Sequence, residues 1–256
     1  MARKHGLLRR RSELRTSNPR TLQHVAAVET LNTAALYRLM AWLSPAYPVG
    51  AFAYSSGIEW AVDAGDVKDA ETLRSWTATM ITYGGGFCDA VFFAHAHRAA
   101  TMGTDTALRA TAELAAAFAP SKERFLETTA QGRAFVDATH SVWPCVALDR
   151  LLTAWDGPLA YPVAVGVAAA GHAIAVEPAL AAFMQAAAAN LVSAGVRLIP
   201  LGQTDGQRVV AALEPAISVT AACALQCPLD QVGSAVFRAD IAGMRHETQH
   251  VRLFRS

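Results

Sequence analysis

Charge is scarce in this chain: 17% of its 256 residues are Asp, Glu, Lys or Arg, against 53% hydrophobic, with alanine dominant. So apolar a composition excludes a disordered protein and suits one sizeable core, or at most two small ones. The net charge of +1 hides an asymmetry. The first twenty residues, MARKHGLLRRRSELRTSNPR, hold seven Lys/Arg and one Glu, which leaves 15 basic and 20 acidic residues for the rest. A mildly acidic body lacks the concentrated basic face that nucleic acid requires, so no nucleic-acid partner is expected. Cysteine is sparse as well. Cys88, Cys145, Cys223 and Cys227 form no C-x-x-C, and the leader lacks the apolar run of a secretory signal. The thiols therefore read as reduced and the location as cytoplasmic. Cys223 and Cys227, four apart in AACALQCPLD, read as small buried hydrophobes rather than as a metal pair.

Strand patterning is missing too: no run of β-branched residues alternates with polar ones, and no hairpin turn joins such runs. The phosphate-binding loops G-x-x-x-x-G-K-[ST] and G-x-G-x-x-G are absent, as is the G-x-S-x-G elbow of hydrolases. Two stretches, PLAYPVAVGVAAAGHAIAV and PALAAFMQAAAANLVSAGV, are long enough to span a bilayer. Their apolarity is mostly alanine, which contributes little to insertion, and Pro162, His172, Gln185 and Asn190 interrupt them. Both read as buried helices of a bundle, with no membrane contact.

What is present is helical periodicity. Leu36, Leu39, Met40 and Leu43 form a stripe in TAALYRLMAWL. SSGIEWAVDAG reads as a helix capped by Ser55 or Ser56 and stopped at Gly65. DAETLRSWTATMITYGGG places Leu73, Trp76, Met80 and Tyr83 on one side, and PSKERFLETTAQGRAFVDATH has apolar positions at Phe125, Leu126 and Phe135. In DGQRVVAALEPAISVTAACAL, Pro215 is expected to kink or divide the helix. The pattern predicts a single all-α domain over residues 31–256, one compact bundle of roughly ten helices, after a basic, disordered extension over 1–30.

One short motif tests that reading. HETQH, near the end of the chain, matches the zinc-hydrolase pattern H-E-x-x-H, with His246 and His250 as ligands on one helical face and Glu247 as general base. Catalytic zinc needs a third protein ligand, and the six residues after His250, VRLFRS, supply none. The segment GFCDAVFFAHAHRAA gathers Cys88, Asp89, His95 and His97, but His95 and His97 point to different sides of a helix, and each reads as a hydrogen-bonded helix residue.

A longer stretch is far more specific. LYRLMAWLSPAYPVGAFAYSSGIEWAVDAGDV, with its core SPAYPVGAFAYSSGIEWAV, resembles the N-terminal signature of the UreF family of urease accessory proteins. LVSAGVRLIPLGQTDGQRVVAALEP and MRHETQHVRLFRS resemble two later blocks of the same family, so the resemblance runs from about Thr33 to Ser256. The family pattern commonly has an aromatic where this chain has His250, which makes HETQH a local variation. The resemblance implies an all-α homodimer that is not an enzyme. It implies an adaptor bridging the accessory protein UreD (also called UreH) and the nickel-carrying GTPase UreG on apo-urease. Nickel would be handled by the complex, with no cofactor held tightly by this chain. The alternative is a metal-binding protein or zinc hydrolase using HETQH or the Cys88/His95 segment.

The same blocks supply candidate partner contacts on their own chemistry. Pro45 and Pro48 stop the first helix and fix φ, Gly50 and Gly57 permit turns closed to other residues, and Phe52 and Tyr54 add aromatic surface to a rigid loop. LGQTDGQR ends one helix and begins another, capped by Thr204 or Asp205, with Gln203, Gln207 and Arg208 near its positive end. The tail sets Arg245, Arg252 and Arg255 beside Leu253 and Phe254, the composition of a binding hot spot, with His246 and Glu247 just before it. The resemblance implies that this tail becomes ordered on docking. Arg133, in Gln131-Gly132-Arg133, joins Gln203 and Arg208 as a candidate contact for regulating GTP hydrolysis.

Overall fold

The computed structural model describes residues 32–256, and among them there is helix, turn and loop but no β-strand. The basic extension expected over 1–30 lies outside the described residues. The helices are α1 (Thr33–Trp42), α2 (Ile58–Asp63), α3 (Ala70–Tyr83), α4 (Gly85–Met102), α5 (Asp105–Ala117) and α6 (Lys122–Val142). They continue as α7 (Val146–Ala154), α8 (Tyr161–Gly171), α9 (Val176–Leu198), α10 (Gln203–Gln226) and α11 (Phe237–His246). The all-α bundle expected from the periodicity is what the chain forms.

Alanine and glycine decide how it packs. From Pro162 to Ala169 every residue of α8 is buried, so this helix is apolar all round and forms the axis on which α4, α6 and α7 pack. The approach is close because glycines stand at the crossings. A Cβ on Gly166 would lie 2.6 Å from the Phe93 carbonyl oxygen of α4, and one on Gly132 of α6 only 2.0 Å from the Leu159 carbonyl oxygen. At one end of α8, Trp42 is fully buried, edge-on to Phe135 and Trp143 and tilted against His172. On the other side α9 and α10 pair, and α3 lies against both.

Tertiary packing shifts several stripes from their expected positions. In α1 the buried residues are Ala35, Leu39 and Trp42, so Leu36 and Met40 face outward with Tyr37. In α3 they are Leu73, Thr77 and Ile81; Trp76 and Met80 are half-buried and Tyr83 is exposed. In α6 Phe135 is buried as expected, whereas Phe125 is half-buried and Leu126 exposed. Pro215 does not divide α10, which runs unbroken as 24 residues. That helix begins on Gly202 without a side-chain cap, and Asp205 falls inside its first turn instead of capping it. Likewise α2 begins on Gly57 at φ +82°, where a Cβ would meet the Gly243 amide nitrogen at 2.7 Å, while the expected cap Ser55 still accepts from the Glu59 amide of the first turn at 3.4 Å. Cys223, expected in the core, is exposed on α10. Both α9 and α10 have the length and apolarity of a membrane span, yet half of the apolar window of α9 is buried inside the bundle.

Candidate functional site: a carboxylate cluster beneath the tail

The inner face of α6 carries polar residues. Glu123, Glu127 and Gln131 recur at four-residue spacing, one above the other, with Arg124 alongside. Buried carboxylates are costly unless paired, and each of these has partners drawn from distant parts of the chain. At the start of α6 the Ser121 hydroxyl accepts from the Arg124 amide at 3.1 Å, while Glu247 Oε1 accepts from the Lys122 and Glu123 amides at 2.8 and 3.3 Å. Glu247 thus sets a negative charge at the positive end of α6.

His246 is fully buried at the next level. Its Nδ1 lies 2.7 Å from Glu123 Oε2 and its Nε2 lies 3.1 Å from Glu59 Oε2 of α2. Each of its two ring nitrogens therefore faces a carboxylate oxygen. Glu59 in turn accepts the Leu253 amide on Oε1 at 2.6 Å and the Phe254 amide on Oε2 at 2.9 Å. Burial alone would raise the Glu59 carboxyl; the Leu253 amide, His246 and the Phe254 amide outweigh it and hold the group below its ordinary value.

Around this centre the tail is seated along α6. Arg252 Nη1 donates to Glu123 Oε1 at 2.7 Å, the Arg255 amide to the Ala53 carbonyl at 2.8 Å, and the Ser256 hydroxyl to Glu127 Oε2 at 3.0 Å. The Ser256 carbonyl receives both the amide of Ser55, at 2.7 Å, and its hydroxyl. Phe254 is buried, with the Arg197 guanidinium 4.3 Å from its ring centre. The same guanidinium stands 3.7 Å from the ring centre of Phe52 and donates to the Phe52 carbonyl at 3.0 Å. One cation from α9 therefore joins the loop after α1 to the end of the chain.

Behind the tail lies a cavity of about 430 Å³. Ser256, Ser56, Glu127, Arg124 and Asp89 form its polar wall, and Trp42 and Phe183 belong to the apolar one. Arg124 pairs with Asp89 and, at 3.3 Å, with Glu127. Burial pushes the Asp89 carboxyl up against the pull of Arg124, and burial raises Asp240, on the same cavity, as well. For Arg124, burial acts to lower the guanidinium, and Asp89 and Glu127 overcome it and raise the value. Acidic side chains outnumber basic ones on this wall. The neighbouring thiol of Cys88 is pushed up to about 12 by burial, which leaves it unreactive.

The candidate contacts do not all converge on one place. Phe52, His246, Glu247, Arg252, Leu253, Phe254 and Arg255 meet at or beside the seated tail; Leu253 and Arg255 turn their side chains outward. Arg245 is exposed one residue before His246. Pro45, Pro48 and Gly50 are exposed on the loop between α1 and α2, where Gly50 has φ +73°. Tyr54 is buried, and its carbonyl accepts from Asn190 at 3.5 Å. Gln203 and Arg208 lie apart from this cluster at the exposed start of α10, where Arg208 pairs with Asp205 at 2.6 Å. Arg133 is exposed and paired with Asp137, while its neighbour Gln131 is buried on the cavity.

The geometry removes the basis for zinc at HETQH. Helix α11 ends at His246, so His250 lies beyond it in the following bend and is exposed. Both ring nitrogens of His246 already face carboxylates, and among the described residues no group of three or more His, Cys, Asp or Glu side chains is placed to hold a metal ion. His95 and His97 are hydrogen-bonded helix residues as expected, to the carbonyls of Cys227 at 2.9 Å and Ile174 at 2.8 Å.

The UreF family profile matches residues 67–214, more than half of the chain. The chain belongs to the UreF family. It is 60% identical over 234 residues to "Urease accessory protein UreF" of Bradyrhizobium sp. strain BTAi1, covering 91% of this chain and 97% of that protein. Proteins of the same name from Rhodopseudomonas palustris strains BisB18 and BisB5 are 57% and 55% identical, covering 91% and 94% of this chain. The UreF family read from the sequence is therefore borne out.

Four residues central to this UreF-family site, Glu59, Glu123, Arg124 and Glu127, are not among the candidates read from the sequence. The four-residue recurrence Glu123–Glu127–Gln131 was the available pointer. It is indistinguishable from a solvated helix face until the tail is seen lying on it.

Proposed function

We propose that this chain is a non-catalytic urease accessory protein. It recruits the nickel-carrying GTPase UreG and holds it in position on UreD (UreH) and apo-urease, so that nickel reaches the urease site. Nickel is cargo of the assembly, and this chain keeps no tightly bound cofactor of its own. It works in the cytoplasm as a homodimer.

The supporting observation is the division of labour within the tail. Phe254, Ser256 and the backbone are turned inward to α2 and α6, while Arg245, Leu253 and Arg255 are turned outward. Such a surface pairs apolar anchors with guanidinium groups in a fixed register, which suits an acidic, partly apolar partner. The exposed apolar side chains of α1, Leu36, Tyr37 and Met40, offer a further contact face for a second protein.

Co-purification tests the reading. Arg245→Glu together with Arg255→Glu reverses two outward charges and leaves the Glu59–His246–Glu123 centre intact. Retention of UreD and UreG is expected to fall at least about tenfold, as for loss of hot-spot contacts, and urease nickel content with it. Full retention of both partners would refute a gripping role for the tail.

A further inference from the structure

The four cysteines differ in what they can reach. Cys88 is buried with its thiol pushed up to about 12, and burial raises Cys145 as well. Cys223, by contrast, is exposed and Cys227 is half-buried. Exposure removes the packing role that the alanine-rich context suggested for Cys223. It lies in the last turn of α10, and Cys227 is the residue that ends the helix. Four residues is the spacing that sets two side chains on one face, one turn apart. This end of α10 is fixed in place. Pro228 follows Cys227 and favours the extended backbone that Cys227 has, φ −72° and ψ 124°. From α4, Arg98 donates to the Leu225 carbonyl at 2.9 Å, and His95 Nε2 lies 2.9 Å from the Cys227 carbonyl. The two accessible thiols therefore share one edge of a rigid frame, outside the carboxylate cluster.

We propose that Cys223 and Cys227 form a two-thiolate site for a soft monovalent cation, Cu(I). The same four-residue spacing lets two side chains of one helix hold a single ion in H-E-x-x-H sites. Sulfur ligands select soft ions over magnesium, calcium or manganese. The number of ligands selects further. His95 reaches this turn, but its Nε2 is engaged at the Cys227 carbonyl, and among the described residues no third His, Cys, Asp or Glu is placed to complete a larger set. Protein-bound zinc needs at least three such ligands, and square-planar nickel needs four. A d¹⁰ Cu(I) ion is satisfied by two thiolates in line. Binding forms two S–Cu bonds and releases both thiol protons to solvent, including the one that Cys227 donates to the Pro228 carbonyl at 3.4 Å. Copper stays monovalent, so no electron is transferred. Gln203 and Arg208 lie at the opposite end of α10, about 30 Å away at the rise of an α-helix. Copper loading is therefore independent of the proposed partner contacts and stands or falls separately from the adaptor reading.

Titration of the reduced, full-length chain with Cu(I) in competition with a chromogenic Cu(I) chelator tests the site. The wild type is expected to retain a single Cu(I) per chain and to show an ultraviolet thiolate-to-copper charge-transfer band. Cys223→Ser and Cys227→Ser should each lose the ion and the band, with far-ultraviolet circular dichroism unchanged. Cys145→Ser should keep both. Cys223→Ser combined with Ala222→Cys restores the number of thiols but turns one of them by about 100° around the helix. That variant should not recover binding. Wild-type retention of copper in either single serine variant at α10, or in the shifted pair, would overturn the site. Loss of copper in Cys145→Ser would do the same, and so would Ni²⁺ or Zn²⁺ held by the wild type as tightly as Cu(I).

Discussion

At the scale of single residues, Glu59 shows how burial and hydrogen bonding compete. The fold holds its carboxyl below the ordinary glutamate value because two backbone amides and His246 favour the ionised form more than burial opposes it. The sign of the linkage follows. A carboxyl depressed in the folded state adds stability above its unfolded pKa, and that contribution is lost as pH falls through the folded value. The amide shifts of Leu253 and Phe254, followed by NMR, are expected to stay constant from neutral pH down through the ordinary glutamate range and to move only below it. Movement centred at or above the ordinary glutamate pKa would show that Glu59 does not hold these amides. The sequence offered His246 as a partner contact and, only in the alternative reading, as a zinc ligand, since the letters H-E-x-x-H carry no information about where α11 stops. The physical role depends on two glutamates 187 and 123 positions earlier in the chain.

At the scale of elements, small residues set the distances between helices. Gly132 brings α6 within contact of the chain entering α8, where even a methyl group would sit 2.0 Å from the Leu159 carbonyl oxygen. Backbone on the opposing side cannot rotate away as a side chain would. Gly132→Ala is therefore expected to cost about 3 kcal/mol or more by overpacking and to lower the melting temperature by roughly 5 °C or more. A melting temperature within a degree of wild type would mean that α6 and the Leu159–Ala160 segment have freedom to separate. The alternation of helices and turns was legible, because the apolar periodicity and the glycine stops are local signals. Which residues of α1 and α3 face inward was less so: single-helix stripes chose Leu36, Met40 and Tyr83, and the bundle chose Trp42, Thr77 and Ile81. In an alanine-rich chain nearly every face of a helix is apolar enough to bury, so the neighbours decide the rotation.

At the scale of the whole molecule, the tail cluster and the start of α10 are two distinct outward features. If the second one faces the GTPase in the assembled complex, Gln203→Ala with Arg208→Ala should change GTP turnover several-fold while co-purification persists. Unchanged turnover and unchanged assembly would remove α10 from that role. By itself the sequence determined the all-α class and the family, because helical periodicity, proline and glycine punctuation and the three motifs are properties of consecutive residues. Only the tertiary structure decided that α2, α6, α11 and the last residues converge on one buried centre. Pairing charges in a low-dielectric interior is a matter of distance in space, and a linear order of residues does not encode that distance.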